Sequence, residues 1–364
     1  MLEKSNKICY NKLGGLHNMK APEYYDGTEL LSKLDINGEK PEIYLCTSNR
    51  TGGKTTYFNK MSINKFKKGH GKFLLTYRYS YELCDCADKF FKDIANLFFP
   101  HDEMTSKSRA KGIFHELFLN EESCGYAVAI NAADNIKKYS HVFNDANWQI
   151  FDEFQTESGR YCPDEVRKFI SLHTSIARGN GQQYRKVPVY MIGNPVSMIN
   201  PYYVELGISE RLRDDTRFLR GDGWVLEQGY VKSASDAQKE GAFNRAFSKN
   251  DYVAYSAECI YLNDSKAFIE KPSGKGRYLA TLKYSGVNYG IREFAEDGFI
   301  YCDDRPDLSH PLKITVTTAD HEVNYVMLTR HDLFIDSMRY FFERGAFRFK
   351  DLRCKEAVLK ALSY

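Results

Sequence analysis

The sequence predicts an α/β fold: a mostly parallel sheet covered by helices on both faces, then a short linker and a second domain of α+β type. Three observations carry this. From Glu42 onward short apolar runs alternate with helical patterns, which is how strands buried on both faces and their crossover helices read. A Gly-rich turn sits between the first such run and the first helix. Around residue 205 the texture changes to dense mixed charge, and from about residue 251 it becomes β-rich. The length of 364 residues suits two domains at roughly 150 residues each.

Composition narrows the function classes. With 43% hydrophobic and 14% aromatic residues, wholesale disorder is excluded. No run approaches the ~18 apolar residues of a spanning helix, and MLEKSNKICYNKLGG has no apolar core of a signal peptide. Lys+Arg 51 against Asp+Glu 48 gives +3, too balanced for a nucleic-acid coat protein or a polybasic membrane binder. A protein that grips DNA transiently fits that balance. Nine cysteines, with only Cys84 and Cys86 close together, read as reduced, buried thiols of a cytosolic protein.

Residues 1–40 are polar, with Gly14-Gly15 and a short amphipathic stretch at Leu30, Leu31 and Leu34. EIYLCT (42–47) is the first buried strand, and a helix runs from Lys54 to Gly69. KFLLTYRY (72–79) is the next strand. Helical spacing of Leu83, Ala87, Phe90, Phe91, Ile94, Ala95 and Phe98 marks a helix over 81–99 that Pro100 ends. IFHELFLN (113–120) and CGYAVAIN (124–131) form a hairpin. NWQIFDEF (147–154) is an apolar strand with an acidic end. Pro163 opens a helix carrying Val166, Phe169, Ile170 and Ile176, and VPVYMIGN (187–194) is the last clear core strand. The boundaries are then 1–205 for the first domain, 206–250 for the linker and 251–364 for the second domain. Strands are expected in YVAYSAECIYL, AFIEK, RYLATLKYSG, NYGIREF, FIYCDD and KITVTT, and helices over 331–345 and 351–364.

SNRTGGKT, Ser48 to Thr55, lies between a strand and a helix, the setting of a phosphate-binding loop G-x-x-x-x-G-K-[ST]. That chemistry needs inward backbone N–H groups, a Lys for the β/γ-phosphates, a hydroxyl for Mg²⁺ and a helix N-terminus behind the anion. Gly52, Gly53, Lys54 and Thr55 meet it; Ser48 replaces the first Gly. Asp152-Glu153 closes a later apolar strand. Two acids at a buried strand end are costly without a cation, and in such ATPases the Asp holds Mg²⁺ while the Glu polarises water. Asn194, ending the next strand in MIGNP, has the chemistry of a γ-phosphate sensor. Arg178 could reach a neighbouring subunit's phosphate or simply close its helix; Arg50 could reach phosphate in cis. Tyr57, Phe58 and Phe66 read as core, and Lys65, Lys67 and Lys68 as a solvated helix end.

In the second domain Glu270, Asp303 and Asp304 suggest a two-metal nuclease, but no first-strand Asp is evident and the three read as scattered surface acids. Arg339, Arg344, Arg348, Lys350, Arg353 and Lys355 alternate with Tyr340, Phe341, Phe342, Phe347 and Phe349. That interleaving suits nucleic-acid contact and equally an amphipathic helix pair.

On these residues the chain resembles the DNA-packaging (encapsidation) ATPases of φ29-like podophages, relatives of terminase large subunits. The resemblance is densest in IFDEFQTESGRYCPDEV (150–166), GNPVSMINPYY (193–203) and SNRTGGKT. It continues more weakly through 267–286, FIYCDD and FFERGAFRF, so it covers about residues 42 to 350. It implies an additional-strand (ASCE) P-loop ATPase domain and a C-terminal RNase H-like domain that has lost its nuclease site. The rival reading keeps a working metal-dependent nuclease there. It implies ATP bound by Ser48, Asn49, Arg50, Thr51, Gly52, Gly53, Lys54 and Thr55, with Mg²⁺ held by Thr55 and Asp152. Glu153 would be the catalytic base and Asn194 the coupling sensor. Arg178 would be a finger acting in trans, and Lys138, aligned across a one-residue gap, would sit near a second trans-acting basic position that helps bind ATP. The implied partners are double-stranded DNA, a homopentameric ring, the procapsid portal and a packaging RNA, in the host cytoplasm. Ser48 departs from the family loop and bears on its geometry.

Overall fold

Alternation of side chains across each strand splits the first domain into two apolar faces. The computed structural model describes residues 24–363 except 88, 180, 210, 214–215, 260, 263–266, 275, 329–331 and 344. The N-terminal stretch with Gly14-Gly15, and Arg344, lie outside them. The first sheet contains β1 (Ile43–Thr47), β2 (Lys72–Tyr77), β3 (Met104–Arg109), β4 (Phe114–Leu119), β5 (Glu122–Ala129), β6 (Ala146–Asp152), β7 (Val189–Gly193), β8 (Phe218–Gly221) and β9 (Trp224–Gln228). Their order is β3-β4-β5-β2-β6-β7-β1-β9-β8. The six from β5 to β9 in that order are mutually parallel; β4, β3 and β8 are antiparallel to their neighbours.

On one face Tyr44, Cys46, Phe73, Leu75, Trp148, Ile150, Tyr190 and Ile192 pack under the helices Lys54–Lys67 and Lys89–Phe98, through Phe58, Ile63, Phe90, Phe91 and Ile94. On the other, Leu45, Phe151, Val189 and Met191 meet Phe169, Tyr202 and Tyr203, and Leu74 and Val128 meet Leu172 and Ile176. Each such side chain contributes about 1.5–3 kcal/mol of transfer free energy. These contacts fix the parallel strands so that β6, β7 and β1 end side by side, with β7 inserted between the loop-bearing and acid-bearing strands.

Several expectations change. The segment 206–250, read as linker, contributes β8 and β9, and β9 pairs in parallel with β1 along its whole length. The first sheet therefore extends to Gln228. The polar edge strand β3 was not expected. The helix over 81–99 is two, Tyr81–Cys86 and Lys89–Phe98. Ile170 is exposed rather than core. Lys65 is half-buried, its ammonium 4.4 Å from the Trp148 ring centroid, so it is not a solvated helix end.

YVAYSAECIYL, read as strand, begins instead within the helix Asp251–Glu258, whose first turn is capped by the Asn250 side chain, its Oδ1 accepting from the Tyr252 N–H at 2.9 Å. The second sheet follows: β10 (Arg277–Tyr284), β11 (Val287–Phe294), β12 (Phe299–Asp303), β13 (Lys313–Thr315), β14 (Val326–Met327) and β15 (Phe347–Phe349), in the order β14-β13-β10-β11-β12-β15. β10, β11 and β12 form an antiparallel meander; β13 lies parallel to β10, β14 to β13 and β15 to β12. Its apolar face packs on the helices Leu333–Glu343 and Leu352–Ser363. Phe347, Phe349 and Lys355, part of the basic-aromatic interleaving, are buried. Asp303 is buried and paired with Arg292, so it is no surface acid. Among the described residues no helix is long and apolar enough to cross a membrane.

Candidate active site

After Thr47 the chain turns through Ser48–Gly53 into the helix Lys54–Lys67. Gly53 takes φ 89°, and a Cβ there would lie 3.1 Å from the Tyr24 ring, so glycine closes the turn where any side chain would strain it. The loop is braced from behind. Gly52 O accepts from the Tyr25 N–H at 2.8 Å, and the Arg50 N–H donates to Ser256 O at 3.0 Å. The Asn49 amide accepts from the Val231 N–H at 2.9 Å and donates to Val231 O at 3.0 Å. Gln238 Nε2 donates to Arg50 O and to Thr51 Oγ1, each at 2.7 Å. Asn49 therefore spends its side chain on the chain leaving β9, and only its backbone faces the loop interior. Ser48 is buried, and Thr51 holds φ 60°.

Lys54 is buried, and burial lowers the pKa of its ammonium. Its Nζ donates to Ser48 O at 3.2 Å, Asn49 O at 3.4 Å and Asn194 Oδ1 at 2.7 Å. β1 and β7, which are adjacent in the sheet, thus deliver a lysine and an amide to one point. Arg50 turns aside: its guanidinium pairs with Glu157 and lies 5.4 and 5.8 Å from the Tyr252 and Tyr255 ring centroids.

β6 brings Asp152 beside them. Burial, and then the negative charge of Glu153, push its carboxyl up to about 6 against the attraction of Lys54 and a hydrogen bond with Thr55. A carboxylate so disfavoured as an anion, next to a hydroxyl, is a hard-oxygen pair that fits a small divalent cation. Glu153 is exposed and strained, with φ 57°; its N–H donates to Asp152 Oδ1 at 2.9 Å. It lines a cleft of ≈ 480 Å³ with Arg50, Arg78, Glu157, Arg160 and Asn194.

A residue that sequence reasoning missed holds that strained turn. Arg78, buried just beyond β2, donates from both Nη atoms to Glu153 O at 3.2 Å and from Nη2 to Phe154 O at 2.9 Å. Its Nε reaches Glu165 at 2.9 Å, and Glu165 also accepts from Tyr202 Oη at 2.9 Å and the Cys162 N–H at 2.8 Å. The available signal was a lone arginine closing an apolar strand. Arg78→Met should lower unfolding free energy by about 3–5 kcal/mol, because it strands the Glu165 carboxylate. Urea denaturation checks this, and Arg78→Met/Glu165→Leu should recover much of the loss.

Arg178 and Lys138 stand apart from this group. Arg185 ties the region following the helix Glu165–Ile176 to Ala146 O, at the start of β6. Arg178 there donates to Ser140 Oγ at 3.3 Å, and Ser140 shares the short segment Lys137–Phe143 with Lys138. Both basic residues are exposed. The seven residues of β6 separate them from Asp152 of the same chain by roughly 20 Å at ~3.3 Å per residue.

The sequence profile of the podovirus DNA encapsidation protein (Gp16) family matches residues 19–362. The DNA packaging protein of Bacillus phage phi29 is 25% identical over 281 residues, covering 77% of this chain and 80% of the relative. That of Bacillus phage B103 is 26% identical over 283 residues, covering 77% and 83%. Among solved structures, the bacteriophage Phi-29 viral genome packaging motor assembly superposes with TM-score 0.55 at 22% identity, covering 93% of this chain and 99% of that one. The Phi-28 gp11 DNA packaging motor gives TM-score 0.59 at 16% identity, covering 94% and 99%. With its P-loop fold, and with the family profile spanning nearly its whole length, the chain belongs to the podovirus DNA encapsidation proteins.

Proposed function

We propose that the chain is a double-stranded-DNA translocase whose ATP sites lie between subunits of a ring. The observation that carries this is the convergence of Lys54, Asn194, Asp152 and Thr55 at the ends of adjacent parallel strands, with Glu153 beside them. Lys54 and the loop N–H groups bind the β/γ-phosphates at the helix N-terminus. Asp152 and Thr55 would hold Mg²⁺, whose chemistry is to neutralise charge on phosphate oxygens. Glu153 orients the attacking water and accepts its proton. Asn194 exchanges its bond with Lys54 for one to the γ-phosphate and so senses hydrolysis. Arg178, with Lys138 beside it, serves the neighbouring subunit, since its own site is too distant.

The finer assignments follow the family: a ring of five, seated on the procapsid portal with a packaging RNA, in the host cytoplasm. The second domain is best read as RNase H-like without nuclease chemistry. Supporting this are the antiparallel meander flanked by parallel strands and the absence of an acid from β10 (RYLATLKY). The Arg292 guanidinium on Asp303 and the Lys350 ammonium on Asp304 point the same way.

ATP turnover of the purified protein with and without duplex DNA, across a salt series, tests the reading. DNA-stimulated hydrolysis that weakens with salt, as phosphate contacts do, and that vanishes in Lys54→Ala, is expected. Undiminished nucleotide binding and turnover in Lys54→Ala would overturn it.

A further inference from the structure

An α-helix leaves its last carbonyls without partners inside the helix. Where the helix Glu165–Ile176 ends, two such oxygens are taken by Arg185, which lies nine positions beyond Ile176. The Arg185 N–H donates to Ala177 O at 2.5 Å, and its Nη2 donates to Ile176 O at 2.8 Å. The same guanidinium crosses to β6. Nη1 and Nη2 both donate to Ala146 O at 3.3 Å, and Nη1 reaches Asn147 Oδ1 at 3.4 Å. Between these anchors the chain doubles back: Gly179 N–H donates to Gln182 O at 3.2 Å, and Gln182 N–H to Gly179 O at 3.0 Å.

Arg178 projects from this loop. Beside it Gly179 holds φ 114°, and a Cβ there would lie 3.0 Å from the Asn144 Cβ, so the backbone seats closely on the chain entering β6. Past Arg185 the loop is fixed again, because Glu42 accepts from the Tyr184 hydroxyl and from the Val187 N–H, the latter at 2.9 Å. The Arg178 side chain is exposed, yet the backbone that carries it is pinned on both sides. Arg185 joins the helix end to the strand. A planar guanidinium suits that task, since its fork of donors can bridge two carbonyls that a single ammonium would not span.

We propose that Arg185 is a positioning residue for hydrolysis at the neighbouring subunit's ATP site, where it holds the loop that presents Arg178. This rests on Arg178 acting as the trans finger. A finger works by bringing its charge to the transferred phosphoryl group, and a long, exposed side chain reaches that point reproducibly only from a fixed backbone. Arg185 is half-buried and gives its donors to oxygens of its own chain, so it supports the finger without replacing it. Without it the loop swings, and the chemical step slows in the adjacent site. Nucleotide binding, which the Ser48–Thr55 loop of each subunit provides, stays as it was.

The test uses the full-length chain with Arg185→Met and Arg185→Lys, alone and mixed with Glu153→Gln or Arg178→Ala. ATP turnover, KM for ATP and amide hydrogen exchange are measured. Arg185→Met should keep KM but lose about 10²-fold in kcat, the cost of displacing a reacting group by about 1 Å. Its loop between Ile176 and Val187 should exchange faster while β6 stays protected. Arg185→Lys, which keeps one charged donor, should lose less. An equimolar mixture of Arg185→Met with Glu153→Gln should approach about a quarter of wild-type turnover, because random mixing around a head-to-tail ring joins an intact base to a held finger at that share of interfaces. A mixture with Arg178→Ala should recover nothing, since both variants lack a working finger. Wild-type turnover in Arg185→Met overturns the proposal and leaves the finger reading standing. Recovery with Arg178→Ala does the same, as it would put the defect on the base-bearing side. Recovery with neither partner, where Glu153→Gln and Arg178→Ala complement each other, also overturns it, as does loss of the folded state in both Arg185 variants. Should Arg178→Ala keep wild-type turnover or fail to complement Glu153→Gln, the finger reading falls and the proposal with it.

Discussion

Glu153→Gln is expected to reduce ATP turnover by about 10²–10⁴-fold, the range supplied by a positioned general base, while nucleotide binding persists. Glutamine keeps the length and hydrogen-bonding reach of the side chain but cannot take up a proton at neutral pH. The backbone geometry should survive, because the strained φ of 57° is held through the Glu153 N–H, carbonyl and neighbours rather than through the carboxylate: Asp152 accepts from the N–H, and Arg78 grips the carbonyl. The loss corresponds to about 2.7–5.4 kcal/mol of transition-state stabilisation, at 1.36 kcal/mol per tenfold. Single-turnover hydrolysis separates it from binding, which a nucleotide titration measures directly. Loss of binding together with turnover would show that Glu153 supports the fold of the site; undiminished turnover would place the base elsewhere.

The sheet's centre was legible because β1, β2, β6 and β7 are short apolar runs bounded by turn residues, and strands buried on both faces have to read that way. Its margins were not. β3 (MTSKSR) is an edge strand with mostly solvated side chains, and polar edges carry no apolar alternation. β9 (WVLEQ) is too short to stand out among charged neighbours; it becomes a strand through pairing with β1, about 180 residues away in sequence. The helix Asp251–Glu258 looks like a strand through its Tyr and Val content. Its helical state is supported by the Asn250 cap and by Tyr252 and Tyr255 closing on Glu157, contacts that override a weak β preference.

The same division runs through the site. Lys54, Asp152, Glu153 and Asn194 were legible because phosphate chemistry restricts residue type and spacing at strand ends. Arg78, Gln155 and Lys355 bond to partners distant in sequence or on another element. Arg78 and Glu165 are 87 residues apart, and Lys355 and Ser197 are 158 apart. No local pattern encodes such a pair; the sheet order and the docking of the last helix create it.

An equimolar mixture of Glu153→Gln and Arg178→Ala is expected to hydrolyse ATP although neither variant does so alone. Arg178→Ala should lose about 10³–10⁵-fold, the worth of an arginine finger. One variant keeps the finger and lacks the base; the other keeps the base and lacks the finger. If each site takes its base from one subunit and its finger from the next, random mixing leaves about one quarter of interfaces with both. Recovery should thus approach about a quarter of wild-type basal turnover and rise with the time allowed for subunit exchange. Geometry favours sharing: Arg178 lies at the opposite end of β6 from Asp152, roughly 20 Å away in the same chain, so action in cis would require the domain to refold. The opposing account leaves Arg178 as a cation near the carboxyl end of its helix, bonded to Ser140. In that case Arg178→Ala alone stays within a few tenths of a kcal/mol of wild type in barrier height, and mixing restores nothing beyond the share of intact bases. The two accounts part on the Arg178→Ala protein before any mixing, and the mixture then decides whether a catalytic Arg178 belongs to its own site or to its neighbour's.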